Sequence, residues 1–127
     1  YFYRLYYSDE YGTSKGLFLG FELQQVSIEK YFNKLKCGFN INGNSNIIGF
    51  IKAIEKSILD IIPEKQGKYP AYRIEEQLQN GFIKIFHNTN QNTPTKYTSV
   101  KLLLKVSGIW TSAKEYGVTF RFFFIRP

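Results

Sequence analysis

Lys101–Phe122, KLLLKVSGIWTSAKEYGVTFRF, decides how the chain reads. Its first half alternates: Lys101, Leu103 and Lys105 fall on one side, Leu102, Leu104 and Val106 on the other. A period of two is the mark of a strand with one face buried, and the all-apolar set is the natural core face. After Trp110 and a polar connection from Thr111 to Tyr116, a second strand is predicted from Gly117. There Val118, Phe120, Phe122 and Phe124 oppose Thr119, Arg121, Phe123 and Ile125. Together the two runs predict a β-hairpin near the C-terminus. Gly108 is the place where the backbone can bend or admit a close neighbour, and Trp110 marks the strand end.

Working outward, Tyr1–Tyr7 (YFYRLYY) predicts a first strand, closed by the turn-rich SDEYGTSKG. Gly16–Ile28 alternates again, Leu17, Leu19, Phe21 and Leu23 against Phe18, Gly20, Glu22 and Gln24, with Gly20 the expected bend or bulge. Tyr31–Ile41 predicts a third strand. Ile47, Ile51, Ile54, Ile58 and Ile61 recur at helical spacing, with Lys52, Glu55, Lys56 and Asp60 on the other side. That is the one helix expected, capped by Ser45 or Asn46 and ended by Pro63. YRIEEQLQ, from Tyr72, reads equally as strand or helix, while GFIKIFH, from Gly81, is a further strand with Phe82, Lys84 and Phe86 opposite Ile83 and Ile85. The expected architecture is mainly β with one helix, in the order β-β-β-α-β-β, as a single domain over residues 1–127 trimmed from a longer chain.

Composition narrows the function classes. Lys and Arg number 17 against 10 Asp and Glu, a formal net charge of +7, which favours phosphate-rich or otherwise anionic partners. Aromatics reach 18% of the chain, more than an ordinary core requires, although an A/T-rich genome would raise Lys, Asn, Ile, Tyr and Phe together. The ten Tyr are too many for a core of this size to satisfy, so several should be exposed, whereas most Phe should build the core. The single cysteine, Cys37, excludes an internal disulfide and zinc sites built on paired cysteines. No apolar run is long enough to span a bilayer and no secretory signal opens the chain, so a soluble intracellular protein is expected, with no membrane partner.

Catalysis is not expected. His87 is the sole histidine, Glu75 and Glu76 are adjacent, Asp9 and Glu10 fall in a turn, and neither a phosphate-binding Gly loop nor a dinucleotide fingerprint is present. No cofactor or metal is expected either. Binding has more support, because basic residues share strand faces with aromatics on several strands. Such a surface lets Lys and Arg track phosphates while rings stack bases.

KLLLKVSGIWTSAKEYGVTFRF, a lysine-rich apolar strand, Gly-Ile-Trp, then Tyr-Gly-Val-Thr and an aromatic-basic strand, resembles the C-terminal signature of single-stranded DNA-binding proteins of large double-stranded DNA viruses. Those are similar to phage-type proteins with an OB-fold, a small Greek-key barrel. The resemblance implies an OB-like barrel that binds single strands during viral DNA replication, recombination or repair, in the host nucleus or cytoplasm. It places Trp110 and Lys114 at a ligand-contacting hairpin. The family commonly ends in an acidic tail; the sequence stops at Arg126-Pro127, as expected of a piece trimmed from a longer chain.

The residues expected to contact phosphate are Lys36, Lys84, Lys101, Lys105, Lys114 and Arg121; those expected to stack are Tyr31, Tyr72, Phe86, Trp110 and Tyr116. The expected partner is single-stranded DNA, or RNA, bound without strong sequence preference, with homo-oligomers also open. The rival expectation is a viral coat or scaffold component that self-associates through exposed aromatics.

Overall fold

The computed structural model describes residues 16–62, 67–85 and 95–125, and the backbone path of 4–8. Seven strands share one mixed sheet: β1 (Arg4–Ser8), β2 (Gly16–Tyr31), β3 (Lys34–Phe39), β4 (Tyr69–Pro70), β5 (Phe82–Ile85), β6 (Thr95–Thr111) and β7 (Glu115–Phe124). Two helices interrupt them, α1 (Ser45–Asp60) and α2 (Arg73–Gln79), and a 3-10 turn over Asn42–Asn44 leads into α1. The mainly β architecture matches the expectation, but the helix count does not. YRIEEQLQ resolves to a helix because Ile74 and Leu78, four residues apart, both reach the core.

β2 organises the sheet. One edge pairs antiparallel with β6 from Leu17 to Ile28; the other pairs with β1 from Gly16 to Gly20 and with β3 from Val26 to Tyr31. β3 continues to β5, which meets β7 in parallel at Ile85 and Phe122, and β7 pairs back to β6. Following these pairings from β2 through β3, β5, β7 and β6 returns to β2.

The sixteen residues of β2 change faces midway. Leu19, Phe21 and Leu23 are buried, then Val26 and Ile28, so the period of two slips by one residue between them. Gln25 takes up the slip with φ of 52°. The bend expected at Gly20 therefore lies five residues later, where the side chain of Asn44 supports it. The Gln24 N–H donates to Asn44 Oδ1 at 2.7 Å, and Asn44 Nδ2 donates to the carbonyls of Gln24 at 3.1 Å and Asn40 at 2.9 Å. Asn44 thus satisfies the edge of β2 in the gap between its pairings with β1 and β3, and these bonds occupy a side chain that is 2% exposed.

Between the facing sides of the sheet and α1 lies one core, built mainly of Ile and Leu: Ile83 and Ile85 of β5, Leu102 and Leu104 of β6, Ile47 and Ile51 of α1, with Val118 and Phe122 of β7. Phe21 and Phe122 meet edge to face, centroids 6.0 Å apart. Phe39, Phe120 and Phe124 only flank this core, so phenylalanine contributes less to it than expected.

α1 corrects three details. Asn44 rather than Ser45 or Asn46 occupies the N-cap position, and it makes no side-chain capping bond. Ile61 stands outside the apolar stripe, 79% exposed at the C-cap, and the helix ends at Asp60; Pro63 lies outside the described residues. Glu55, expected on the polar side, is fully buried. Its carboxylate accepts the backbone N–H of Ile74 and of Glu75, both at 2.9 Å, and so caps the first turn of α2 from another helix.

The C-terminal hairpin is tighter than expected. β6 runs to Thr111 and β7 begins at Glu115, with Ser112, Ala113 and Lys114 between. Ser112 closes this turn through its N–H to the Glu115 carbonyl at 2.8 Å, and its Oγ accepts the Glu115 N–H at 3.1 Å. The register of β6 against β7 shifts between Val106 and Gly108, where the bend was expected.

Candidate nucleic-acid interface

β3 and the second half of β2 alternate so that Leu35, Cys37, Val26 and Ile28 are buried while Lys36, Gly38, Ser27, Glu29 and Tyr31 take the opposite face. On β5, Ile83 and Ile85 are buried, leaving Phe82 and Lys84 on that same outward side, in register with Gly38 and Lys36.

Three of the sequence-predicted residues meet on this face. Tyr31, 41% exposed, ends β2. Lys84 Nζ lies 5.4 Å from the centroid of its ring and Lys36 Nζ lies 5.9 Å away. Lys36 also stands 4.4 Å from the ring of Phe82. Both ammonium groups are therefore held against aromatic faces, which positions charge without burying it. Lys36 and Lys84 face each other directly across β3 and β5, so two like charges share one site. Glu29 faces Lys36 from the other side, across β2, so the row carries one carboxylate beside two ammonium groups.

At the tip, the β2–β3 connection is Phe32-Asn33. Phe32 has φ of 55° and is 80% exposed, its ring edge-on to Tyr31 at 4.8 Å. A two-residue hairpin loop with positive φ at its first position usually carries glycine there. Phe32 takes this conformation with its ring largely in solvent and touching Tyr31. Phe32 and Phe82 were not among the expected stacking residues. The alternation of Phe82 with Lys84 was readable, whereas Phe32 carried no signal because the turn itself lay hidden inside an apparent strand.

The other predicted residues are dispersed. Lys105 and Arg121 face each other across β6 and β7, in the row that begins at Phe18, whose ring lies 5.8 Å from Lys105 Nζ. Lys101 lies opposite Glu22, beyond the Gly20–Leu103 pair on the same face. These three make a second basic patch, on β6 and β7 beside the first half of β2. Trp110 is half-buried, flanked by the Arg73 guanidinium at 5.2 Å and packed onto Gly117, where a Cβ would come within 2.7 Å of the indole. It acts as a packing anchor of the hairpin. Lys114 is exposed in the turn and its carbonyl accepts the N–H of Tyr69 at 2.9 Å.

Tyr116 corrects the expectation outright: it is 5% exposed and part of the core, because the tight turn sets it on the inward side of β7. Tyr72 is half-buried at the N-cap of α2, its hydroxyl pushed up by burial and by the carboxylate of Asp60, and it packs against the core instead of standing clear for stacking. Phe86, like His87, lies outside the described residues. Burial pushes the Cys37 thiol up to about 12, which leaves it inert as a nucleophile. Among the described residues, no group of three or more His, Cys, Asp or Glu can hold a metal ion, and no helix is long and apolar enough to cross a membrane.

No protein-family model matches the chain, and no curated protein or solved structure matches it. The geometry of the β2–β3–β5 face is therefore what carries a functional reading.

Proposed function

We propose that this domain binds single-stranded nucleic acid, DNA in the first instance, without strong sequence preference, on the outward face of β2, β3 and β5. The observation that carries the reading is the cluster of Tyr31, Lys36, Phe82 and Lys84, two ammonium groups held over aromatic rings on one open strand face. Rings stack bases of any identity, and lysines follow the phosphates between them.

Strand connectivity supports the same reading. β2, β3 and β5 follow one another antiparallel, and β6 returns to lie beside β2, which is a Greek-key arrangement. We read the parallel meeting of β5 and β7 at Ile85 and Phe122 as the closing contact of an OB-like barrel, the fold that the resemblance of Lys101–Phe122 to viral single-strand-binding proteins implies. Numbered within such a barrel, β3 and β5 are its second and third strands, and Phe32 and Lys114 lie on its first and last hairpin loops, the elements with which OB-folds take oligonucleotides.

The test is fluorescence anisotropy of a labelled 30-nucleotide oligo-dT at two salt concentrations with duplex DNA as competitor. Binding that weakens with salt and resists the duplex supports the proposal, and absence of binding at low salt sinks it. Sedimentation on the same samples separates it from assembly through exposed aromatics, because apolar self-association does not weaken with salt in that way.

A further inference from the structure

Gly38 lies inside β3 with a strand on either side, Ser27 across on β2 and Phe82 across on β5. Glycine in a strand interior costs about 0.5–1 kcal/mol against alanine, so its presence needs a cause. Three causes internal to the fold fail. The backbone does not demand it, since the glycines with positive φ are Gly16, Gly67 and Gly81. Close packing does not demand it either: among the described residues a Cβ there would meet only the carbonyl oxygens of Ser27 at 3.7 Å and Gly81 at 4.0 Å, an ordinary contact. Nor does a neighbouring ring lie across the gap. No atom of Phe82 comes within 4 Å of that Cβ position, and the Phe82 ring is instead 4.4 Å from Lys36 Nζ.

The bare backbone opens outward. Phe82, Gly38, Ser27 and Lys96 form one continuous row across β5, β3, β2 and β6. Beside Gly38 is a cleft of about 360 Å3 bordered by Gln25, Lys96 and Tyr97, at the point where β2 bends. A side chain at position 38 would stand on the side of the sheet shared by Phe82, Ser27 and Lys96. Lys36 stands two residues along β3, and Lys96 closes the far side.

We propose that Gly38 is the floor of a subsite for one nucleobase of a bound single strand. The planar base lies flat on the bare strand against Phe82, and the phosphates on either side of it are held by Lys36 and Lys96. This rests on the single-strand reading above and adds to it a defined position where the strand's base is seated.

Gly38→Ala and Gly38→Leu test it. Both variants are expected to melt at or above the wild-type temperature, since each restores strand propensity and the Cβ they share meets no atom closer than 3.7 Å. Gly38→Leu is expected to weaken binding of the 30-nucleotide oligo-dT by about tenfold, the loss of one stacked base, and Gly38→Ala by less. On an abasic strand of equal length, wild type and Gly38→Leu should bind alike, because there is no base left to exclude. A large drop in melting temperature for both variants overturns the proposal by showing that the fold itself requires glycine. So does wild-type affinity of a folded Gly38→Leu, and in that case the single-strand reading stands. Failure of the wild-type protein to bind any oligonucleotide removes both.

Discussion

At the scale of single residues, Glu55 has the most to say about stability. A carboxylate with no exposed surface survives because two converging N–H groups at the start of α2 take the place of water. Burial pushes its pKa above the ordinary carboxylate value, the two hydrogen bonds pull it back in part, and the nearby Glu75 and Glu76 carboxylates push it up again. The native state thus holds the Glu55 proton more tightly than the unfolded chain does. That contribution to stability is complete below the ordinary carboxylate range and is lost as pH rises through the raised native value. Glu55→Gln offers one acceptor where two donors converge and is expected to cost about 1–3 kcal/mol. Because the glutamine does not titrate, the gap in melting temperature between wild type and variant should be wider near pH 4 than near pH 7. Thermal melts at the two pH values check this, and a gap that grows with pH would contradict it. The sequence placed Glu55 with Lys52 and Lys56 on a polar helix face, and helical periodicity has no means of showing that a second helix begins against it. Tyr116 was misplaced for a related reason: without the turn type, nothing in EYGVTF fixes which side of β7 faces inward.

At the scale of elements, the β2–β3 hairpin joins strain to exposure. Strand alternation was legible wherever one face is buried, as in Leu102, Leu104 and Val106 or Ile83 and Ile85. It failed at Phe32-Asn33 and at Gln25, where a positive φ sits on a residue with none of glycine's signal. The same blindness hid half of the candidate site: Tyr31, Lys36 and Lys84 could be named as types, but their convergence depends on the turn at Phe32. Holding a phenylalanine at φ of 55° costs of order 1–3 kcal/mol, and its exposed ring returns little of this through packing. Phe32→Gly should therefore leave the melting temperature unchanged or raise it, while weakening oligonucleotide binding several-fold through the loss of a stacking ring. Melting and anisotropy on the one variant decide the point. A marked loss of stability would mean that Phe32 pins the hairpin against Tyr31 and is structural.

At the scale of the whole molecule, a net charge of +7 draws any polyanion, so affinity by itself does not reveal which face is used. The two basic patches make different predictions. One comprises Lys36 and Lys84 on β3 and β5 among Tyr31 and Phe82; the other comprises Lys101, Lys105 and Arg121 around Phe18 on β6, β7 and the first half of β2. Removing two charges from either patch lowers the overall attraction by the same amount. Only lysines that neutralise phosphates in the complex release counterions on binding, and only their loss changes how steeply affinity falls with salt. For single strands each such contact contributes about 0.7 to the slope of log Kobs against log salt. Lys36→Ala with Lys84→Ala should therefore flatten that slope by about 1.4, whereas Lys101→Ala with Lys105→Ala should reduce affinity slightly and leave the slope as it is. Measuring anisotropy across a salt series for both pairs tells the faces apart, with melting curves to verify that each remains folded. The reverse pattern would move the binding surface to the β6–β7 side, and equal flattening in both pairs would mean that the strand wraps across the two patches rather than following β3 and β5 alone.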